Sequence, residues 1–199
     1  MRRLVLLALL AVGLAGCGSS GPTIPKSALS RLVLAPRDVR PLVAFDVGPQ
    51  VRLDNLAGPR KDPSRFGREG GWKARYRRSG STATKGPLVV ESRADLFSSS
   101  SGAKKDLRAY EDDFRGTIAS APTLRDFVDA PANLGDEASA MTIRQPGAAG
   151  AAVRFYRIAW RDHNATASVL VEGFDGKVSF AEASALARRQ QARIRSAVD

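Results

Sequence analysis

Apolar and polar positions alternate with the period of two that marks half-exposed strands at several places in the chain. Trp72, Ala74 and Tyr76 alternate with Lys73, Arg75 and Arg77. After a turn-rich Ser79–Pro87 connection, Leu88 to Phe97 gives a second strand with Val90, Ser92, Ala94 and Leu96 on one face. Neighbours this close along the chain pair most simply as antiparallel strands. A third strand follows the turn at Leu134-Gly135-Asp136-Glu137-Ala138 and runs to about Arg144. A fourth covers Val153 to Arg161, and a fifth covers Ala165 to Glu172, where Ala167, Val169 and Val171 oppose Thr166, Ser168 and Leu170. Asp162-His163-Asn164 joins these last two as a hairpin turn, with Asn164 the residue suited to positive φ.

Two stretches carry the helical period instead. Ala103, Leu107, Tyr110, Phe114 and Ile118 recur at steps of three and four, an amphipathic helix of about four turns, with possible caps in Ser98–Gly102. Ser179 and Glu182 form an S-x-x-E capping box, in which each side chain takes up a backbone N–H left free at the helix start. The helix behind it runs to about Ala197 with Ala183, Leu186, Ala187, Gln190, Ile194 and Ala197 as its inner stripe. Four arginines crowd its C-terminal end, Arg188, Arg189, Arg193 and Arg195, where the helix dipole favours cations. Ala28 to Leu34 reads as a short helix stopped by Pro36, Leu42 to Val47 as an extended piece, and Asn55 to Gly71 as a long loop. The order strand, strand, helix, three strands, helix predicts an α+β domain: an antiparallel sheet of about five strands covered by two main helices.

The first 21 residues follow neither period. Arg2 and Arg3 precede an apolar block from Leu4 to Val12, and small residues close it. The form is that of a secretory signal. A membrane span needs about 20 apolar residues, and this run is well short of that. Leu14, Ala15, Gly16 and Cys17 stand where a cleavage site belongs, and this quartet resembles the lipobox of bacterial lipoproteins. The resemblance implies a diacylglycerol on the Cys17 thiol, with cleavage making Cys17 the new N-terminus. Two or more acyl chains hold a protein stably at a bilayer, whereas one is marginal. Residues 1–16 are then the signal, 17–27 the lipidated cysteine and a Gly/Ser/Pro tether, and 28–199 a single α+β domain. The expected location is the extracytoplasmic face of a membrane, the outer membrane included if the organism has one.

The turn at Gly135-Asp136-Glu137-Ala138, the hairpin from Trp160 to Gly173 and the closing Ala/Leu/Gln/Arg helix resemble extracellular sensor-type domains and uncharacterised lipoproteins of actinobacteria. The order of elements is also similar to the Mog1/PsbP-like fold. These likenesses imply a fold and a place outside the cytoplasm rather than a reaction.

Composition narrows the chemistry further. Cys17 is the sole cysteine of 199 residues. Once it is lipidated, the domain has no disulfide, no thiol nucleophile and no thiolate metal site. His163 is the sole histidine, and a histidine in a tight polar turn is ordinarily a solvated one. The formal charge of +11 falls to +9 when Arg2 and Arg3 leave with the signal. It is uneven: Arg52 to Arg93 holds 11 basic and 4 acidic residues, a local +7, and Asp95 to Glu137 holds 5 basic and 9 acidic, a local −4. The basic stretch suggests an anionic lipid or envelope polymer as a partner. It does not suggest nucleic acid, because alternation puts Trp72 and Tyr76 on the face opposite Lys73, Arg75 and Arg77, whereas a stacking platform needs them together. Asp136 and Glu137 are the sharpest carboxylate pair, since a turn can aim both into one groove; with His163 they are the candidate ligand-binding residues. Two readings follow. The first is a non-enzymatic, lipid-anchored binding or structural domain, without cofactor or metal. The alternative is an envelope hydrolase acting through Asp136 and Glu137.

Overall fold

Strand structure extends further than the strongest alternating runs suggest, and among the described residues the strands number seven. The computed structural model describes residues 22–50, 63–147 and 150–198; the leader, the lipobox with Cys17 and the tether as far as Gly21 lie outside the described residues. The strands are β1 (Val43–Pro49), β2 (Arg68–Arg77), β3 (Val89–Phe97), β4 (Arg125–Val128), β5 (Glu137–Pro146), β6 (Ala152–Asp162) and β7 (Ala165–Phe174). They form one sheet in the order β1-β2-β3-β7-β6-β5-β4, every neighbour antiparallel. Helix α1 (Ser100–Ala119) separates β3 from β4, and α2 (Phe180–Arg195) closes the domain.

The count of about five strands is therefore corrected to seven, and the two additions are the two edges. Edge positions weaken the pattern that alternation reads. On β1, Val43, Phe45 and Val47 are all exposed, at 64%, 40% and 52%, so no buried face sets a rhythm. β4 is four residues long, too short to show a period. The loop expected through Gly71 ends sooner, because β2 begins at Arg68. Residues 51–62 of that loop lie outside the described residues.

The two helices take opposite faces of the sheet. Leu107, Tyr110 and Phe114 of α1 pack on Met141 and Ala159. On the other face, Ala183, Leu186, Ala187 and Ile194 of α2 join a larger core with Ala74, Tyr76, Val90, Ala94, Ile158, Trp160, Val169 and Val171. Both predicted inner stripes are buried apart from Ile118 and Ala197, which lie in the fraying last turns. Both caps form as well: Ser99 accepts the Gly102 N–H, and Ser179 and Glu182 close the capping box.

Ala28 to Leu34 is not an α-helix. A 3-10 turn covers Lys26–Arg31, and Leu32, Val33 and Leu34 behind it are all buried. Three consecutive buried residues need apolar neighbours on every side, which one helix face does not supply. This segment instead packs on β2 and β3, while α2 covers β6 and β7. Tyr76 donates its hydroxyl to the Leu34 carbonyl at 2.6 Å, and the Leu34 N–H donates to Ser92 Oγ at 3.0 Å. Ser92, polar within an apolar stripe, also donates to Gln190 Oε1 at 2.7 Å and so ties α2 to β3. Buried polar groups of this kind must be paired, and here each one is.

The chain enters the domain earlier than composition indicates. Ile24, in the Gly/Ser/Pro stretch read as tether, is 2% exposed. Its N–H donates to Asn164 Oδ1 at 2.8 Å, and Asn164 Nδ2 donates to the carbonyls of Ile24 at 3.2 Å and Phe97 at 3.0 Å. Asn164 is thus a buried clasp rather than the turn residue with positive φ. His163, the first residue of the two-residue loop, takes that conformation, with φ of 52°.

Candidate functional site

The hairpin turn gathers all three predicted residues of the domain. Gly135 holds φ of 62°, and a Cβ there would lie 2.2 Å from the Arg161 carbonyl oxygen. That close approach seats Asp136 and Glu137 beside the end of β6. Asp136 Oδ2 accepts from Arg161 Nη1 at 2.7 Å and from the His163 backbone N–H at 3.1 Å. Glu137 Oε1 is 2.9 Å from Lys104 Nζ and 3.5 Å from Arg161 Nη2. The Lys104 ammonium, with Arg161 behind it, holds the Glu137 carboxyl below the usual range. His163 Nδ1 lies 2.5 Å from Asp162 Oδ1. Asp162 in turn accepts from Gln191 of α2, whose Oε1 receives the Trp160 indole N–H at 2.6 Å.

This arrangement is a joint that carries charge without leaving it free. A general acid needs a raised pKa and a general base an open lone pair facing substrate. Glu137 is shifted the other way, and Asp136 spends its outer oxygen on a cation and a backbone amide. Among the described residues no group of three or more His, Cys, Asp or Glu side chains is placed to hold a metal ion. The chemistry available here is hydrogen bonding and ion pairing, and what it fixes is the relation of α1, β6 and α2.

A second region was not visible as a cluster in the sequence. Helix α1 crosses the sheet obliquely: Asp106 accepts from Thr166 Oγ1 at 2.7 Å, Tyr110 lies 3.3 Å from Ser168 Oγ, and the carbonyl of Thr117 accepts from Arg125. It therefore covers one end of β6 and β7 and leaves the other. Register places Val43, Arg77, Val89, Glu172 and Phe155 side by side across five strands in the uncovered part. The next row holds Asp46, Arg75, Glu91, Leu170 and Arg157. Ion pairs run along that second row: Asp46 to Lys73 at 2.6 Å, Arg75 to Glu91 at 3.0 Å, and Arg93 to Glu91 at 2.6 Å. The guanidiniums of Arg75 and Arg77 also lie 5.1 and 4.9 Å from the centre of the exposed Phe45 ring. Glu172 differs from its neighbours. It is half-buried between Val89 and Phe155, no described cation pairs with it, and burial pushes its carboxyl above the usual range.

The two regions sit at opposite ends of the sheet. From Ala165, beside the clasp, to Glu172 is seven residues of strand, about 23 Å at 3.3 Å per residue. Sequence reading missed the uncovered face because its members come from five strands whose order does not follow the chain. The sequence shows one part of it, the alternation that sets Lys73, Arg75 and Arg77 opposite Trp72 and Tyr76.

No family model matches the chain, and none of the curated proteins matches it in sequence. The fold is similar to the crystal structure of the extracellular domain of PknH from Mycobacterium tuberculosis, with a TM-score of 0.64 at 12% identity. The similarity covers 87% of this chain and 98% of that one. It is a likeness of fold, an α+β domain with one antiparallel sheet. No helix among the described residues is long and apolar enough to cross a membrane.

Proposed function

We propose that the chain is an exported, lipid-anchored protein of the cell envelope whose domain binds a partner or ligand without turning it over. The observation that carries this reading is the likeness of fold to a domain that works outside the cell. The lipobox at Leu14–Cys17 agrees with it and supplies the attachment. The ion pairs of Asp136 and Glu137 favour binding over the hydrolase alternative, because both carboxylates are held by cations and Glu137 is pushed below the usual range.

Attachment at Cys17 also sets an orientation. Ile24, where the clasp holds the chain, is seven Cα–Cα steps from Cys17, a reach of at most about 25 Å. A tether this short keeps the hairpin end, with Asn164, His163 and Asp136, nearest the attachment point, and the uncovered part of the sheet lies at the other end. Lys26 lies at the near end, exposed, where a cation close to an anionic leaflet contributes roughly 1 kcal/mol. The free far face is where a partner docks.

The test is Cys17→Ser in the native host. Wild-type protein incorporates an alkyne-tagged fatty acid and sediments with membranes. The variant is expected to lose the label completely and to appear as soluble protein or unprocessed precursor. Unchanged labelling and sedimentation would show that the anchor lies elsewhere.

A further inference from the structure

A cavity of about 180 Å³ opens at the far end, on the α2 side of the sheet. Its apolar lining includes Val39, Leu42, Val90 and Leu186, and Arg40, Arg78 and Arg189 stand around it. The three guanidiniums come from three separate segments: the approach to β1, the end of β2, and the middle of α2. Local structure accounts for two of them in part. Arg78 donates through Nε to the Pro87 carbonyl at 2.7 Å and through Nη2 to the Lys85 carbonyl, which holds the connection between β2 and β3. Arg189 donates through Nη1 to the Asp38 carbonyl. Each guanidinium carries five N–H donors, so both keep most of theirs. Arg40 is exposed and makes no hydrogen bond or ion pair among the described residues.

The two carboxylates in the lining are already occupied. Asp38 Oδ2 accepts the Ala35 N–H at 2.8 Å and lies 3.3 Å from Arg193 Nη1. Glu182 Oε2 accepts the Ser179 N–H at 2.8 Å and its hydroxyl at 3.0 Å in the capping box. Glu182 keeps its charge, because its capping donors are neutral, so the lining sets three guanidiniums against two carboxylates and stays net positive, with Arg40 the cation that pairs with no described carboxylate. The wall is also tight. A Cβ on Gly86, where φ is 78°, would come within 3.1 Å of Glu182 Oε1 and 3.3 Å of Arg78 Nη2. Pockets with an apolar lining and a few convergent polar groups are the usual form of a small-molecule site.

We propose that this cavity binds a small organic anion, with its apolar body against Val39, Leu42, Val90 and Leu186 and its charged group between Arg40, Arg78 and Arg189. The cavity, about 180 Å³ and open on one side, suits a small occupant such as a single ring or short branched chain. The site does not depend on the anchor; it adds a ligand class to a domain otherwise read as a partner-binding one.

The probes are benzoate, phenyl phosphate, benzamide and inorganic phosphate, titrated into the unacylated chain from residue 17 onward and followed by amide chemical shifts. Benzoate or phenyl phosphate is expected to give saturable shifts at Arg40, Arg78, Leu186 and Arg189; whichever binds tighter identifies the anionic group as carboxylate or phosphate. Benzamide has the same shape without the charge, and inorganic phosphate has the charge without the ring. Each should bind at least tenfold more weakly. Arg40→Gln, at a side chain with no partner to lose, should leave the spectrum folded and weaken the better anion about tenfold. Absence of saturable shifts up to 10 mM (a concentration well above the roughly mM affinity expected for so few atoms) would overturn the proposal. So would equal binding of benzamide, equal binding of inorganic phosphate, or an Arg40→Gln variant with wild-type affinity. None of these outcomes bears on lipidation at Cys17.

Discussion

Replacing Asn164 by Ala should lower the unfolding free energy by about 3 kcal/mol, because buried partners left without a hydrogen bond each cost about 1–3 kcal/mol. The side chain is 4% exposed and makes three hydrogen bonds, to both backbone groups of Ile24 and to the carbonyl of Phe97. Its removal strands those groups in a place water reaches poorly. The loss is also directional. Ile24 is the first buried residue among those described, so the variant should free the described segment ahead of Lys26 before the rest unfolds. Chemical denaturation checks the total, and amide exchange at Ile24 checks the order. A change below about 1 kcal/mol, the size of an ordinary exposed hydrogen bond, would mean that the clasp is not formed.

Trp160→Ala should cost more, about 4 kcal/mol, within the range measured for removing large buried aromatics. Trp160 is fully buried, at 0% exposure, in the core between the sheet and α2. Its indole N–H also fixes Gln191, which fixes Asp162 beside the turn. Truncation therefore opens a cavity and unpairs a buried amide together. Trp160→Phe separates the two effects: it keeps most of the volume, loses the donor, and should cost about 1–2 kcal/mol, the price of one unpaired buried acceptor. Domains of this kind have only about 5–15 kcal/mol in total, so Trp160→Ala consumes much of it. Equal midpoints in urea for the alanine and phenylalanine variants would show that packing at this position contributes nothing.

How much of this was legible beforehand differs by element. The last helix was, because Ser179, Glu182 and a stripe from Ala183 to Ile194 agree with one another, and local signals suffice when they agree. The central strands were as well, since Ala167, Val169 and Val171 have one buried face each. The edges were not. β1 exposes Val43, Phe45 and Val47, and β4 is too short, so both depend on neighbours rather than on their own pattern. Asn164 misled for a related reason. Asparagine tolerates positive φ, but its side chain was needed by Ile24, 140 residues away in sequence, and His163 took the strained conformation instead.

The candidate residues divide in the same way. Asp136, Glu137 and His163 were read from adjacency in a turn, and they do meet, but their partners Arg161, Lys104 and Asp162 determine what they can do. Those partners could not be assigned from spacing alone. The far-end arginines were visible only as part of a basic composition. Arg40, Arg78 and Arg189 converge because the approach to β1, the connection after β2 and α2 meet at one end of the sheet, a fact of topology.

The central claim is that the chain is held at the membrane by the hairpin end with its far end exposed. The sole cysteine makes this directly measurable. The unacylated chain from residue 17 is coupled through Cys17 to a maleimide lipid in anionic nanodiscs that also carry a gadolinium-chelating lipid, and amide broadening is read along the backbone. The account predicts strong broadening at residues 161–165 and at Ile24, and little at 79–87 around the arginine-lined cavity. Stronger broadening at 79–87 than at 161–165 would contradict it.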